Sequence, residues 1–377
     1  MQIVDYDIHG VVGIRLENPV ESDIRAVEKQ ICFPQTRLGR EPDITIRFTP
    51  KLAIAPLTYT GLFAGYNDDG FFILKSSKKP CKVRIPFEKI GEECEILCES
   101  GLRSVPLLIA IINLTFLRKN YLSLHASGFV FEETGVVLTG WAKGGKTEVM
   151  LAFAEHGAQY VADEWTVFPA DGSRMFGLAE PVRLWDWHLA QVPRLVQQKS
   201  RQQRLVFKTI HALAGFHKVL AKGRLKRFFP IKALGEALPA LKRQLNIRVT
   251  PEALFDGRLL DVAKPEKVFL VMSHDQPETR VESCGIDEII ERMIHSNEFE
   301  QLVLTEHYKT FRFAFPGREN ALIENLPEIQ RKLLQTVFAG KTAYKVLHPY
   351  PVVFEKLYQK MAPFCAKTVT AAGSEYA

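Results

Sequence analysis

Short runs of alternating apolar and polar residues dominate the first hundred residues of the chain. Three of these runs, Ile44–Phe48, Phe71–Lys75 and Val83–Pro86, are separated by clusters of Gly, Asp and Pro, a pattern typical of strands joined by turns. We therefore predict a small β-rich N-terminal domain over residues 1–100.

The pattern changes after this region. An apolar run of 13 residues, Val105–Leu117, lies between Arg103 and Arg118; it is too short to span a bilayer and predicts a buried helix. The continuous apolar run Val268–Met272 predicts a fully buried strand. Residues 286–304 and 321–338 have the apolar spacing of helices, which we expect to cover that strand and its sheet.

One motif follows directly on an apolar strand pattern at Val136–Leu138. Residues 140–147 read GWAKGGKT, and an amphipathic helix pattern continues to His156. A G-x-x-x-x-G-K-[ST] sequence in this strand, loop and helix order predicts a phosphate-binding loop. Its glycines let backbone N–H groups surround a polyphosphate, and the helix N-terminus adds its positive end. The predicted nucleotide-binding residues are Gly140, Lys143, Gly144, Gly145, Lys146 and Thr147.

A pair of carboxylates follows closely. The apolar run Tyr160–Ala162 ends in Asp163 and Glu164, and Asp163 lies 16 positions after Thr147, which leaves room for one short helix and one strand. We expect the carboxylates at the carboxyl end of that strand, beside the loop. There Lys146 would reach the β- and γ-phosphates, Thr147 and one acid would hold Mg²⁺, and one acid would accept the proton of an attacking hydroxyl.

A histidine precedes the loop. Leu122–Phe131 alternates like one strand, and a short acidic turn links it to the loop strand. Such a hairpin places His125 either near the loop or one strand-length away, depending on the register. From these residues alone, a histidine in a strand is more often structural than catalytic.

Taken together, these segments resemble the catalytic domain of the HPr kinase/phosphorylase family over Ser123–Phe168. The resemblance implies a P-loop kinase core of the α/β class, akin to phosphoenolpyruvate carboxykinase, that binds ATP and Mg²⁺. It also implies transfer of the γ-phosphoryl group to a hydroxyl, and it turns His125 into a predicted site residue near the transferred phosphate. The family has Asp-Asp where this chain has Asp163-Glu164. No counterpart of the family's HPr-binding C-terminal segment is found, so HPr is a doubtful acceptor.

The resulting prediction is an ATP-dependent kinase that phosphorylates a Ser-like hydroxyl on a protein or small molecule. The predicted catalytic residues are Asp163, His125 and Lys146, and the predicted Mg²⁺ ligands are Thr147, Asp163 and Glu164. The kinase-like domain is expected over residues 101–367, with a disordered tail over 368–377. The sequence has no secretory signal and scattered cysteines, which favours a cytoplasmic protein; it leaves homo-oligomer formation open.

The segment 191–245 differs from the rest in charge. It holds thirteen Lys and Arg residues and one acid, Glu236, so its net charge is +12; because the whole chain carries +6, the remainder carries −6. Apolar residues interleave with these charges, which predicts a helical hairpin or lid over the active site and an anionic partner. A solvated basic face is an equal alternative, and nucleic acid is not favoured because no nucleic-acid-binding module is found.

Other interpretations stay open. In a P-loop ATPase, Asp163-Glu164 would act as a Walker B pair with Glu164 positioning water; a non-catalytic nucleotide-binding module would use the basic segment to dock a partner. The resemblance to HPr-kinase-like proteins, in which a loop at a similar place helps line the site, implies that Glu180 or Arg183 of the segment Glu180–His188 would contact metal or phosphate. We expect its tryptophans, Trp185 and Trp187, to pack in the core.

Overall fold

The computed structural model of the chain describes residues 2–76, 80–178, 181–220 and 229–366. These residues form a mixed α/β protein with several sheets. The predicted disordered tail, 368–377, lies outside the described residues, and so does Glu180. Within the described ranges, no helix is both long enough and apolar enough to cross a membrane.

The N-terminal region forms one mixed sheet. Its strands are β1 Ile3–Ile8, β2 Val12–Glu17, β3 Gln35–Thr36, β4 Ile44–Thr49, β5 Thr58–Thr60, β6 Ala64–Asn67, β7 Gly70–Ser76, β8 Pro80–Arg84 and β9 Cys94–Glu99. Their order is β3-β1-β2-β4-β9-β8-β7-β6-β5, and helix α1 (Glu21–Ile31) connects the parallel neighbours β2 and β4. The three predicted strands are present as β4, β7 and β8; β8 ends before Pro86, which has no N–H to donate to a ladder.

The rest of the described chain contains both strands and helices. The strands are β10 Tyr121–Leu124, β11 Ser127–Phe131, β12 Thr134–Thr139, β13 Gln159–Ala162, β14 Thr166–Pro169, β15 Phe176–Gly177, β16 Val182–Trp185, β17 Asn246–Val249, β18 Lys267–His274, β19 Arg280–Ser283 and β20 Thr342–Pro349. The helices are α2 Leu108–Arg118, α3 Lys146–Ala154, α4 Asp186–Gln191, α5 Arg201–Leu220, α6 Phe229–Lys242, α7 Pro251–Leu254, α8 Ile286–Glu300, α9 Leu302–Ala314, α10 Ala321–Glu324, α11 Leu326–Phe338 and α12 Phe354–Cys365. Short 3-10 turns occupy Phe87–Lys89 and Pro193–Gln198.

Helix α2 is the buried helix that the apolar run predicted. It begins at Leu108 because Leu107 has a φ of 59°, which lies outside the helical range. Its apolar residues pack against the N-terminal sheet, and Leu304 and Phe311 of α9 belong to the same cluster of buried side chains. The N-terminal sheet therefore shares one hydrophobic core with later parts of the chain.

The central sheet has the strand order β13-β11-β12-β18-β20-β19. Strands β12, β18 and β20 run parallel, and the predicted buried strand is β18, in the middle. Alternate residues of β18 face opposite sides, as strand geometry requires. Val268 and Leu270 pack with α8 and α11, whereas Phe269 and Val271 pack with α3 and α12.

Both predicted C-terminal helices are present, and each is divided. The first is interrupted at Gln301, between α8 and α9. The second is divided into α10 and α11 at Asn325, and Pro327 lies at the start of α11, where a missing N–H is tolerated. Helices α8 and α11 cover the central sheet, as the spacing predicted, whereas α9 and α10 pack in the core of the N-terminal sheet.

The strand predicted over Leu122–Phe131 is in fact two strands in different sheets. Strand β10 pairs with β14 in a three-stranded sheet, and β11 belongs to the central sheet. Strands β13 and β14 change sheets in the same way, at Asp163, Glu164 and Trp165. The two crossovers are adjacent, since Thr166 Oγ1 donates to the Ala126 carbonyl oxygen at 2.8 Å. This adjacency brings His125 to the acid pair.

The basic segment is largely helical where it is described. Helices α5 and α6 pack against each other, and the described part of the segment ends at β17, which pairs with β16 in a separate two-stranded sheet. Ile210 and His211 of α5, together with Pro239 and Lys242 of α6, line the cavity described below. The predicted helices are therefore present and border this cavity, while their role as a lid stays a prediction.

Candidate functional site

The glycine-rich loop, Gly140–Thr147, joins the end of β12 to the start of α3. Its geometry requires glycine at two positions: Gly140 has a φ of 140° and Gly145 a φ of 113°. A Cβ at Gly140 would collide with the Val271 carbonyl oxygen, and one at Gly145 would collide with the His348 ring. The loop therefore fits tightly against β18 and β20, with no room for side chains at these positions.

The Lys146 side chain is buried and folds back onto the loop. Its Nζ donates to the carbonyl oxygens of Gly140 and Trp141 at 3.2 and 3.3 Å. Burial lowers the pKa of Lys146, while the nearby charges of Glu164 and Asp163 oppose that effect. These two acceptors hold the ammonium group at the position from which it would reach a phosphate in the loop.

Two side chains that the sequence did not indicate hold the loop from other elements. Ser296 Oγ of α8 donates to the Gly140 carbonyl oxygen at 3.2 Å. His348 of β20 is fully buried, and its Nε2 lies 3.0 Å from the Gly144 carbonyl oxygen. Both residues lie more than 150 positions from the loop in sequence, so no local pattern could have revealed them.

Asp163 is the buried member of the acid pair. Its Oδ1 accepts a 2.6 Å hydrogen bond from Ser127 Oγ of β11. Burial raises the pKa of Asp163, and the negative charge of Glu164 acts in the same direction. A carboxylate with a raised pKa is a better proton acceptor near neutral pH than an ordinary aspartate.

His125 lies between two carboxylates. Its Nε2 is 3.1 Å from Glu164 Oε2, and its Nδ1 is 3.1 Å from Glu300 Oε1 in an ion-pair contact that lacks hydrogen-bond geometry. Burial alone would lower the pKa of His125, but the two carboxylates outweigh burial and raise it. The hydrogen bond from His125 in turn lowers the pKa of Glu164. The pair thus favours a protonated imidazole beside an ionised Glu164.

The sharp turn at the acid pair comes from the backbone. Glu164 has a φ of 62°, a left-handed conformation that is uncommon for a residue other than glycine. Trp165 N–H donates to the Asp163 carbonyl oxygen across this turn at 2.7 Å. Strain of this kind persists where the surrounding structure fixes it and is frequent at functional sites.

These groups line one cavity of about 1250 Å³. Of the predicted site residues, His125, Lys143, Gly145, Lys146, Thr147, Asp163 and Glu164 line it. Gly140 and Gly144 do not, and their carbonyl oxygens accept the contacts described above. The predicted Mg²⁺ ligands therefore face one space, and their hydroxyl and carboxylate oxygens are the donor type that Mg²⁺ prefers. Among the described residues, no three His, Cys, Asp or Glu side chains form a metal-binding group without help from a ligand.

A second wall of the cavity comes from β16, β17 and the helices around them. Arg183 and Arg248 line it, together with Trp185, Trp187 and the exposed Tyr350. The predicted core packing of the tryptophans holds only in part. Trp187 packs against the core, but both rings also line the cavity because β16 forms its edge.

A further missed residue connects this wall to the loop helix. His188 Nδ1 accepts the Trp185 N–H at 3.1 Å, which leaves Nε2–H to donate to Glu148 Oε1 at 3.2 Å. Glu148 lies next to Thr147 in the first turn of α3. The contact fixes the imidazole tautomer and holds the basic wall in place relative to the glycine-rich loop.

The fold and site together define a mixed α/β protein in which a glycine-rich loop, an acid pair with one buried member, Asp163, and a histidine share one cavity. No model of a known protein family matches the sequence. No curated protein matches it with significance either. The resemblance to HPr kinase/phosphorylase accordingly stays a prediction that rests on residues 123–168.

Proposed function

We propose that the protein is an ATP-dependent kinase, similar to HPr kinase, that transfers the γ-phosphoryl group to a hydroxyl of a protein or small-molecule acceptor. The observation that carries this proposal is the placement of Lys146, Asp163 and His125 around one cavity. A phosphate-binding lysine, a proton acceptor and a cationic group are the parts that phosphoryl transfer to a hydroxyl requires.

Nucleotide binding would begin at the glycine-rich loop. Its backbone N–H groups and the N-terminus of α3 would hold the phosphates, and Lys146 would exchange the carbonyl oxygens of Gly140 and Trp141 for phosphate oxygens. Thr147 with Asp163 or Glu164 would hold Mg²⁺, which when bound supplies charge neutralisation for the β- and γ-phosphates.

Asp163 would act as the base. Its carboxylate would accept the proton of the acceptor hydroxyl as the hydroxyl oxygen bonds to the γ-phosphorus; the bond from that phosphorus to the bridging oxygen breaks, and ADP leaves with the electron pair. The raised pKa of Asp163 suits this role. Protonated His125, held by Glu164 and Glu300, would place positive charge beside the transferred group.

The test is transfer of label from γ-labelled Mg-ATP to components of a host extract by the purified protein. Lys146→Ala and Asp163→Asn are compared with wild type after circular dichroism has verified that each is folded. A labelled product that depends on both residues is the expected result. Free phosphate without a labelled product would favour an ATPase, and nucleotide binding without turnover would favour a binding module; either outcome contradicts the kinase proposal.

A further inference from the structure

Two arginines lie side by side on the part of the cavity wall that β16 and β17 form. Arg183 of β16 and Arg248 of β17 are direct partners in the antiparallel register, and both side chains are exposed and line the cavity. Like charges directly opposite each other across two strands repel and destabilise the pair. Neither guanidinium forms a hydrogen bond or an ion pair with another described residue. An anion between them would remove the repulsion.

The carboxylates of the cavity are already engaged. Each of the five that line it among the described residues lies at most 3.2 Å from a histidine or a serine side chain. Lys242 and Arg243, at the end of α6, line the same wall as the arginine pair and are exposed too. None of these four cationic side chains forms an ion pair with another described residue, so the wall presents exposed positive charge.

The arginine pair also shares a cavity with the predicted catalytic residues. Both arginines line the cavity that His125, Lys146 and Asp163 also line. A cavity of about 1250 Å³ is larger than the roughly 300–1,000 Å³ of a pocket for one small ligand. It leaves room for a second molecule beside a nucleotide.

We infer that Arg183 and Arg248 bind a phosphate monoester group carried by the acceptor, so that the substrate is a small phosphorylated molecule with a free hydroxyl. Guanidinium groups bind phosphate through paired, charge-assisted hydrogen bonds, and two of them match the charge of about −2 on a phosphate monoester near neutral pH. The cavity's aromatic side chains, Trp185, Trp187 and Tyr350, offer apolar surface for the rest of such a molecule. The part of this inference that concerns a free hydroxyl on the acceptor rests on the proposed kinase function, whereas the anion site does not depend on it.

The probe is inorganic phosphate, titrated at constant ionic strength against chloride while the unfolding temperature is recorded. The titration is run with and without a saturating, non-hydrolysable Mg-ATP analogue, which occupies the glycine-rich loop. The variants are Arg183→Gln, Arg248→Gln and the charge-conserving Arg248→Lys. Arg280→Gln is the matched control, because Arg280 is also an exposed strand arginine without an ion pair among the described residues.

We expect phosphate to stabilise the wild type with the analogue bound. Each glutamine variant should weaken phosphate binding by at least about tenfold, because one charge-assisted contact is lost. The phosphate affinity of Arg248→Lys should lie between that of wild type and that of Arg248→Gln. Without phosphate, the glutamine variants should unfold at a temperature equal to or above that of wild type, because the repulsion is gone. Arg280→Gln should change neither property, and analogue affinity should stay within about threefold of wild type in all variants.

Three results would overturn the inference: no stabilisation of the wild type by phosphate, unchanged phosphate binding in both glutamine variants, or loss of phosphate binding when the analogue binds. The last result would assign the arginines to the nucleotide instead. The assay needs no turnover, so a failed kinase proposal and a failed anion site give different outcomes. Phosphate binding through the arginines without phosphoryl transfer refutes only the kinase; transfer without such binding refutes only the anion site.

Discussion

Replacing Asp163 with asparagine is expected to stabilise the protein and inactivate it at the same time. Asp163 is buried, and Ser127 Oγ donates a 2.6 Å hydrogen bond to its Oδ1, which an amide oxygen would also accept. Burial and the charge of Glu164 raise the pKa of Asp163 above the ordinary value of 3.8. The ionised form is therefore costly in the folded protein, and asparagine removes that cost while keeping the shape.

The raised pKa determines the sign and size of the effect. Because the folded protein holds this proton more tightly than the unfolded chain, stability is greatest below the unfolded pKa and is lost as pH rises through the folded pKa. Each unit of elevation corresponds to about 1.4 kcal/mol. Asp163→Asn should thus gain about 1–3 kcal/mol over wild type at neutral pH and nothing below about pH 4, while phosphoryl transfer falls by about 10²–10⁴-fold with the loss of the base.

The assay is urea unfolding of wild type and variant at several pH values, combined with γ-phosphoryl transfer. Ser127→Ala is the control, and it should change the stability in the opposite direction. It removes a hydrogen bond that lowers the pKa of Asp163, so it should destabilise the protein at neutral pH. An Asp163→Asn variant that is less stable than wild type at neutral pH, or a difference that does not shrink toward acid, would refute the reasoning about burial. An active variant would refute the assignment of the base.

Three further predictions concern the loop and the histidine. Lys146→Ala should weaken ATP binding by about ten- to a hundredfold, since it removes charge-assisted hydrogen bonds worth about 1.5–3 kcal/mol; titration with a fluorescent ATP analogue measures this, and an unchanged affinity would contradict it. Gly145→Ala should abolish nucleotide binding through its collision with a buried ring, whereas Gly157→Ala, which also has a positive φ but open space around it, should bind normally. Glu300→Gln removes a carboxylate that raises the pKa of His125, so the alkaline limb of the pH–activity profile should move to lower pH. If this limb does not move, a protonated His125 takes no part in the reaction.

Contiguous features of the site could be predicted from sequence. The GWAKGGKT motif lies between a strand and a helix, as its spacing required, and the acid pair ends β13, which runs parallel to β12 with β11 between them. Strand β18 and the helices over it followed from apolar spacing. In each case, a local period or a short motif carries the information because neighbouring residues in sequence form the structure.

Features that depend on distant contacts could not be predicted. The run Leu122–Phe131 alternates without a break, yet the chain leaves one sheet and enters another at His125, a change that only pairing with β14 and β12 reveals. His348 and Ser296 reach the glycine-rich loop from more than 150 residues away. The pairing of Arg183 with Arg248 likewise depends on a register between strands that are 60 residues apart.

The origin of the two walls suggests how chemistry and specificity are divided in this protein. The proposed catalytic groups come from a continuous stretch, His125 to Glu164, whose two ends are fixed by the two adjacent sheet crossovers. The second wall comes from β16, β17 and the basic helices. The contact between His188 and Glu148 connects this wall to the helix that follows the glycine-rich loop. Because the charge that would recognise an acceptor lies on the second wall, changes there should alter which molecule is phosphorylated without moving the base or the phosphate-binding loop. For the proposed kinase, the unpaired arginines are for this reason better guides to the acceptor than the glycine-rich loop, which would report only on the nucleotide.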